Sequence, residues 1–257
     1  MYKYLLLIFI IIFIYCFVND YNVENFSDTN IRDQENYNWS TKWNDLDYKA
    51  REDAVCTPIK KEMREFGTVS AWIWTVPNSC ENGLPHTRNK NVIAMPNGWS
   101  DENSTSTLLH ESVHIFQRNF SNDWEKFYNN QWNYEIFEEP APFIPKELIQ
   151  KRRSNPDTDD KPWCRWNKRW WSVPIYEDSN KPRLNQTPII WYDEKENKML
   201  NKPPNDWLKF FGPDINQIEH PNEISAVLLT NKNSTCLAKN KLIEFVNSEK
   251  YFNLLSK

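Results

Sequence analysis

The sequence predicts an α+β domain, on three observations: two short segments rich in β-branched and aromatic residues that stop at prolines, a helical segment with apolar positions at helical spacing after them, and an apolar C-terminal stretch with helical spacing. At 257 residues the chain is long enough for one sizeable domain with its own core. A different pattern, an unbroken apolar run followed by a polar stretch, precedes that domain.

The apolar run extends from Tyr4 to Val18. Spanning a bilayer takes about 20 residues and a signal-peptide core about 10–14, so the run lies between the two. It is apolar all round, unlike a one-faced buried helix. No small-x-small cleavage site follows, so residues 1–18 are expected to form an N-terminal hydrophobic helix that acts as an uncleaved signal anchor in preference to a signal peptide. Lys3 then lies on the cytosolic side, and the domain is membrane-anchored on the extracytosolic side, or secreted. Residues 19–40, rich in Asn and Asp, read as a polar tether, and residues 41–257 as the folded domain.

Composition excludes several classes of partner. With 31 basic against 35 acidic residues there is no surplus of positive charge for nucleic acid. With 4 glycines, Gly-rich phosphate loops are absent, so no nucleotide is expected. Outside the apolar run the cysteines are Cys56, Cys80, Cys164 and Cys236, an even number that in an exported domain predicts two disulfides of undetermined pairing.

Within the domain, apolar residues from Asp47 to Phe66 recur at roughly helical spacing, with Pro58 interrupting, which predicts one or two helices. Thr68–Val76 and Asn91–Met95 read as strands, each closed by a proline. The loop between them, Asn78–Lys90, contains His86. From Ser104 to Asn119 the period changes to that of a helix, with Leu108, Leu109, Val113, Ile115 and Phe116 on its apolar positions. Asp123–Phe137 also reads as helical, Lys151–Pro213 as loops and short strands, and Pro221–Tyr251 as two closing helices.

The helix over 104–119 holds His110-Glu111-Ser112-Val113-His114. Residues four apart share a helix face, so both imidazoles can aim at one point, a geometry suited to a metal. Glu111, one position along, can reach a water at that metal without ligating it, as a general base requires. Flanking Thr107-Leu108-Leu109 and Ile115-Phe116 carry no charge, so the helix can be buried while its histidines face a cleft.

The stretch Thr107–Phe116 resembles the extended signature of the zincin superfamily of zinc metallopeptidases. That resemblance implies a zincin-like fold, with a small mixed sheet over a buried active-site helix and helices to the C-terminal side. It also implies an edge strand that pairs with substrate, for which Asn91–Met95 is the candidate. Its cofactor would be one Zn2+ ion, its substrate a peptide or protein, and its base Glu111. No glycine and histidine follow the core motif as in metzincins. In the gluzincin branch a Glu on a later helix completes the metal site, and His220-Pro221-Asn222-Glu223 is similar to that second motif. The ligands implied are therefore His110, His114 and Glu223, with Glu135 and His220 as alternatives for the third. An oxyanion or substrate contact is left open among His86, Tyr176, Tyr192 and a non-ligating His220.

Two further readings compete: a catalytically inactive zincin-like domain that binds a partner, and a Trp-rich ectodomain that binds a protein or carbohydrate through residues such as Trp163, Trp166, Trp170 and Trp171. Retention of Glu111 disfavours the first. For the second, tryptophans packed as core anchors under Arg and Lys stems are the simpler expectation. Asn155-Pro156-Asp157 offers a metal-binding loop but reads first as a turn.

Overall fold

Burial alternates along Val69–Val76, with Val69, Ala71 and Ile73 turned inward and Ser70 and Trp72 outward, as a half-buried strand requires. In the computed structural model, which describes residues 42–88, 91–231 and 233–248, this is β2 of a mixed four-stranded sheet. Its partners are β1 (Lys60–Phe66), β3 (His86–Arg88) and β4 (Val92–Pro96), in the order β1-β2-β4-β3. β2 runs antiparallel to β1 and parallel to β4, and β3 runs antiparallel to β4. The N-terminal segment 1–18 and the tether 19–40 lie outside the described residues. Among the described residues no helix is long and apolar enough to cross a membrane.

Two expectations are corrected in this sheet. Helix is confined to α1 (Asp45–Ala50), and Lys60–Phe66 is a strand, entered after Pro58 and turned into β2 by Gly67, whose φ of 57° suits the two-residue hairpin. The apparent helical spacing of Ile59, Met63 and Phe66 arose because the outer face of this edge strand is exposed: Met63 stands opposite Trp72 there, at 51% and 39% exposure. Nor is Asn91–Met95 the edge. His86–Arg88, expected in a loop, pairs outside β4 in the register His86↔Ala94 and forms the edge itself.

The motif helix, α2 (Asp101–Asn119), lies against β2, β3 and β4. α3 (Ser121–Trp132) follows, and ends earlier than expected because Asn133 takes a left-handed conformation at φ 55°. The chain then enters β5 (Tyr134–Phe137), the first strand of an antiparallel five-stranded sheet with β6 (Trp163–Trp166), β7 (Trp170–Pro174), β8 (Ile189–Asp193) and β9 (Lys198–Leu200) in sequence order. The remaining helices are α4 (Lys146–Lys151), α5 (Asn205–Phe211), α6 (Pro221–Thr230) and α7 (Leu237–Ser248). The described chain is thus mixed α+β with two sheets.

Tryptophan supplies much of the interior. Trp124, Trp132, Trp166, Trp191 and Trp207 belong to the main core, Trp163 and Trp171 to a second cluster under the β5–β9 sheet, and Trp170 is half-buried. Arg165 packs over Trp171 and Arg169 over Trp170, so cationic stems cover the rings as expected. Of the two disulfides expected, Cys56–Cys80 is present. Cys164 and Cys236 are unpaired: Cys164 is buried on β6, donating to the Glu219 carbonyl at 3.2 Å, while Cys236 lies at the foot of α7.

Candidate metal centre

Helices α2 and α6 pack together, and their contact brings three side chains to one point. His114 Nε2 lies 3.1 Å from His110 Nε2, and Glu223 Oε2 lies 3.2 Å from His110 and 3.4 Å from His114. Tetrahedral zinc with ligand bonds of about 2.0–2.1 Å holds its donors roughly 3.3 Å apart, so this triangle has the size and the N,N,O chemistry that such an ion takes. His114 and Glu223 are sealed in the protein, whereas the His110 side chain keeps 14% exposure toward a cleft of about 600 Å³.

The helices reach this arrangement for local reasons. α6 opens with His220 as its cap and Pro221 at its first position, which sets Glu223 in the first turn, pointing at α2. Gln117, one turn beyond His114, ties the two helices. Its Oε1 accepts from His114 Nδ1 at 2.7 Å, and its Nε2 donates to Ser225 Oγ at 2.8 Å and to the Asn222 carbonyl at 3.0 Å. With the proton on Nδ1, His114 Nε2 presents a lone pair to the centre. Gln117 did not figure among the sequence candidates, because it acts on the far side of His114 and carries no spacing of its own; Asn155 figured only within the Asn-Pro-Asp loop.

Asn155 reaches the centre from the loop 152–158. Its Nδ2 donates to Glu223 Oε1 at 2.7 Å. The loop is fixed by a buried polar network: Asp47 accepts from Ser154 N at 2.8 Å and Ser154 Oγ at 2.7 Å, and Arg51 donates to the Ser154 carbonyl at 2.9 Å. Asp157, in the short 3-10 turn Pro156–Thr158, accepts at 2.6 Å from both Thr87 N and Thr87 Oγ1, pinning the loop to β3. The Asn-Pro-Asp segment is therefore a turn, yet it sets Asp157 with Glu111 and His114 in a second close group of donor atoms.

The electrostatics favour a cation. Burial opposes charging of His114, but the Glu223 and Asp157 carboxylates outweigh it and raise the imidazole to about 10. The field that would hold a proton there is one a divalent ion would also meet. Burial would raise Glu223, and His114 and His110 reverse this, holding it well below the ordinary carboxylate range. Glu111 behaves in the opposite way, pushed well up by burial and then by Asp157. It lines the cleft beside His110, and its Oε2 has no hydrogen-bond partner among the described residues.

The other sequence candidates fall elsewhere. Glu135 sits on β5 in an ion pair with Arg165 at 2.7 Å and joins no close donor group with the histidines. His220 accepts from Asn222 N at 3.2 Å through Nδ1 and contacts the Lys161 carbonyl at 3.1 Å through Nε2, so both ring nitrogens are engaged; burial lowers it to about 4. Tyr176 donates to Asp47 at 2.9 Å in the Arg51 network, and Tyr192 to Asn197 Oδ1 at 3.0 Å on β8; neither lines the cleft. His86 does line it, with Nδ1 3.0 Å from the Leu84 carbonyl and Nε2 accepting from Arg88 at 3.0 Å. Burial first, then Arg88, holds it well below its usual range, hence neutral. Arg153 also lines the cleft, and nothing in its sequence context marked it. No family model, curated protein or solved structure matches this chain.

Proposed function

We propose that this protein is a zinc-dependent hydrolase of peptide bonds, with His110, His114 and Glu223 as metal ligands and Glu111 as general base. The observation that carries the reading is the convergence of His110 Nε2, His114 Nε2 and Glu223 Oε2 within 3.1–3.4 Å of one another, with Glu111 beside them on an open cleft. A zinc ion held there would polarise a peptide carbonyl and bring the pKa of its water to about 7. Glu111, which lines the cleft beside His110 and has no partner at Oε2 among the described residues, would accept the proton of the attacking water and return it to the leaving amine. Gln117 and Asn155 keep His114 and Glu223 oriented throughout.

A mixed sheet over a motif helix whose central turns are buried, with a Glu donor on a later helix, supports a zincin-like domain of the gluzincin kind. The Cys56–Cys80 disulfide supports an oxidising compartment, in keeping with an extracytosolic or secreted domain behind the N-terminal apolar segment. A partner-binding role through the Trp-rich segment is the weaker reading, since Trp163, Trp166 and Trp171 are spent in the interior.

Metal analysis and peptide hydrolysis on the purified domain test the proposal. One zinc per chain is expected in the unaltered protein and in Glu111→Gln, with hydrolysis lost in the latter; His114→Ala is expected to lose both. Undiminished hydrolysis by Glu111→Gln would refute the role given to that residue.

A further inference from the structure

The wall of the cleft that carries His110 and Glu111 also carries Arg153. Its side chain is sunk in that wall, with 11% exposure. The nearest carboxylate oxygen is Glu219 Oε1, 4.0 Å from NH1 and beyond hydrogen-bond reach, and Nε is buried without a partner. Neighbouring arginines differ. Arg51 is gripped by both oxygens of Glu81, at 2.6 and 3.0 Å, and Arg152 donates to the Lys42 carbonyl at 2.7 Å and Ser154 Oγ at 3.0 Å.

Arg153 is also held where it is. Its backbone N donates to the Pro174 carbonyl at 2.8 Å, and Ser154 next to it is clamped by Asp47. A rigid loop thus presents a guanidinium whose donors the protein leaves unmatched. Sinking such a charge with no carboxylate nearer than the Glu219 ion partner at 4.0 Å is costly, and a planar guanidinium suits one class of partner above others, a carboxylate taken in two parallel hydrogen bonds.

We propose that Arg153 forms a carboxylate-binding subsite of this cleft, so that the peptide taken carries an anionic group near the bond held at the metal centre. That group is the free C-terminal carboxylate or an Asp or Glu side chain. The identity of the ligand as a peptide rests on the hydrolase reading; the subsite itself rests on the unmatched guanidinium.

The test uses zinc-loaded Glu111→Gln protein and three matched pools of mixed-sequence N-acetylated hexapeptides, compared by equilibrium dialysis. The first pool has a free C-terminus, the second a C-terminal amide, and the third an amide with Asp in place of an interior Asn. The first or the third is expected to bind roughly 10- to 100-fold more tightly than the second, and the pool that does so identifies the source of the carboxylate. Adding Arg153→Gln should erase the preference and Arg153→Lys should keep part of it, with thermal unfolding checking that each variant is folded. Equal binding of the three pools, or a preference that survives Arg153→Gln, overturns the subsite. Turnover is measured in parallel on the unaltered protein. Hydrolysis without carboxylate preference removes the subsite and leaves the hydrolase; carboxylate-dependent binding without hydrolysis does the reverse.

Discussion

Asn155 donates to Oε1 of Glu223 at 2.7 Å and so decides which carboxylate oxygen faces the histidines: Oε2 is left 3.2 Å from His110 and 3.4 Å from His114. An amide on a loop anchored by Asp47 thereby orients an acid on α6. Asn155→Ala frees that carboxylate to rotate, and we expect zinc affinity to fall roughly 10- to 100-fold. Chelator competition measures it; an unchanged dissociation constant would mean that the hydrogen bond orients nothing.

Metal and fold should be linked. Zinc that binds the folded chain at a hundred times its dissociation constant adds about 2.7 kcal/mol to stability. Urea unfolding with and without zinc should show a gain of this order in the unaltered protein, and none in His114→Ala. Equal gains in both would place the ion elsewhere.

His220 predicts an acid weakness. Its ordinary value is 6.5 and burial lowers it to about 4, so at intermediate pH the unfolded chain takes up a proton that the folded chain refuses. Stability from this residue is complete above pH 6.5, declines as pH falls, and has lost about 3 kcal/mol by pH 4. His220→Asn retains an acceptor for Asn222 N and does not titrate. Metal-free denaturation from pH 7 to 4 should therefore show a shallower loss in the variant, and parallel curves would refute the assignment.

Reduction of Cys56–Cys80 releases a loop of 24 residues and should cost roughly 2–4 kcal/mol, read as a lower urea midpoint after dithiothreitol or in Cys56→Ser. An unshifted midpoint would show that Arg51–Glu81, bonded at 2.6 Å across the same segment, suffices.

How legible all this was depended on range. The pairing of His110 with His114 is set by one helical turn, and α2 with its neighbouring strands β2 and β4 could be read from local period. Glu223 was accessible because it stands in a recognisable helix start. Lys60–Phe66 misled because an edge strand with an exposed face has no inward alternation to betray it, and its identity comes from β2 across the hairpin. The β5–β9 sheet was blurred by strands of three to five residues joined by turns such as Asn167-Lys168, at φ 52° and 50°. Asn155, Gln117 and Arg153 gain their meaning from residues far along the chain, which no window of sequence displays.

The donor triangle joins residues 113 positions apart, His110 to Glu223. During synthesis two imidazoles emerge long before the acid that completes them, so a growing polypeptide would hold at most a weak, two-point grip on a metal ion. A complete three-point site would arise only once α6 has left the ribosome and docked on α2, after most of the fold is in place.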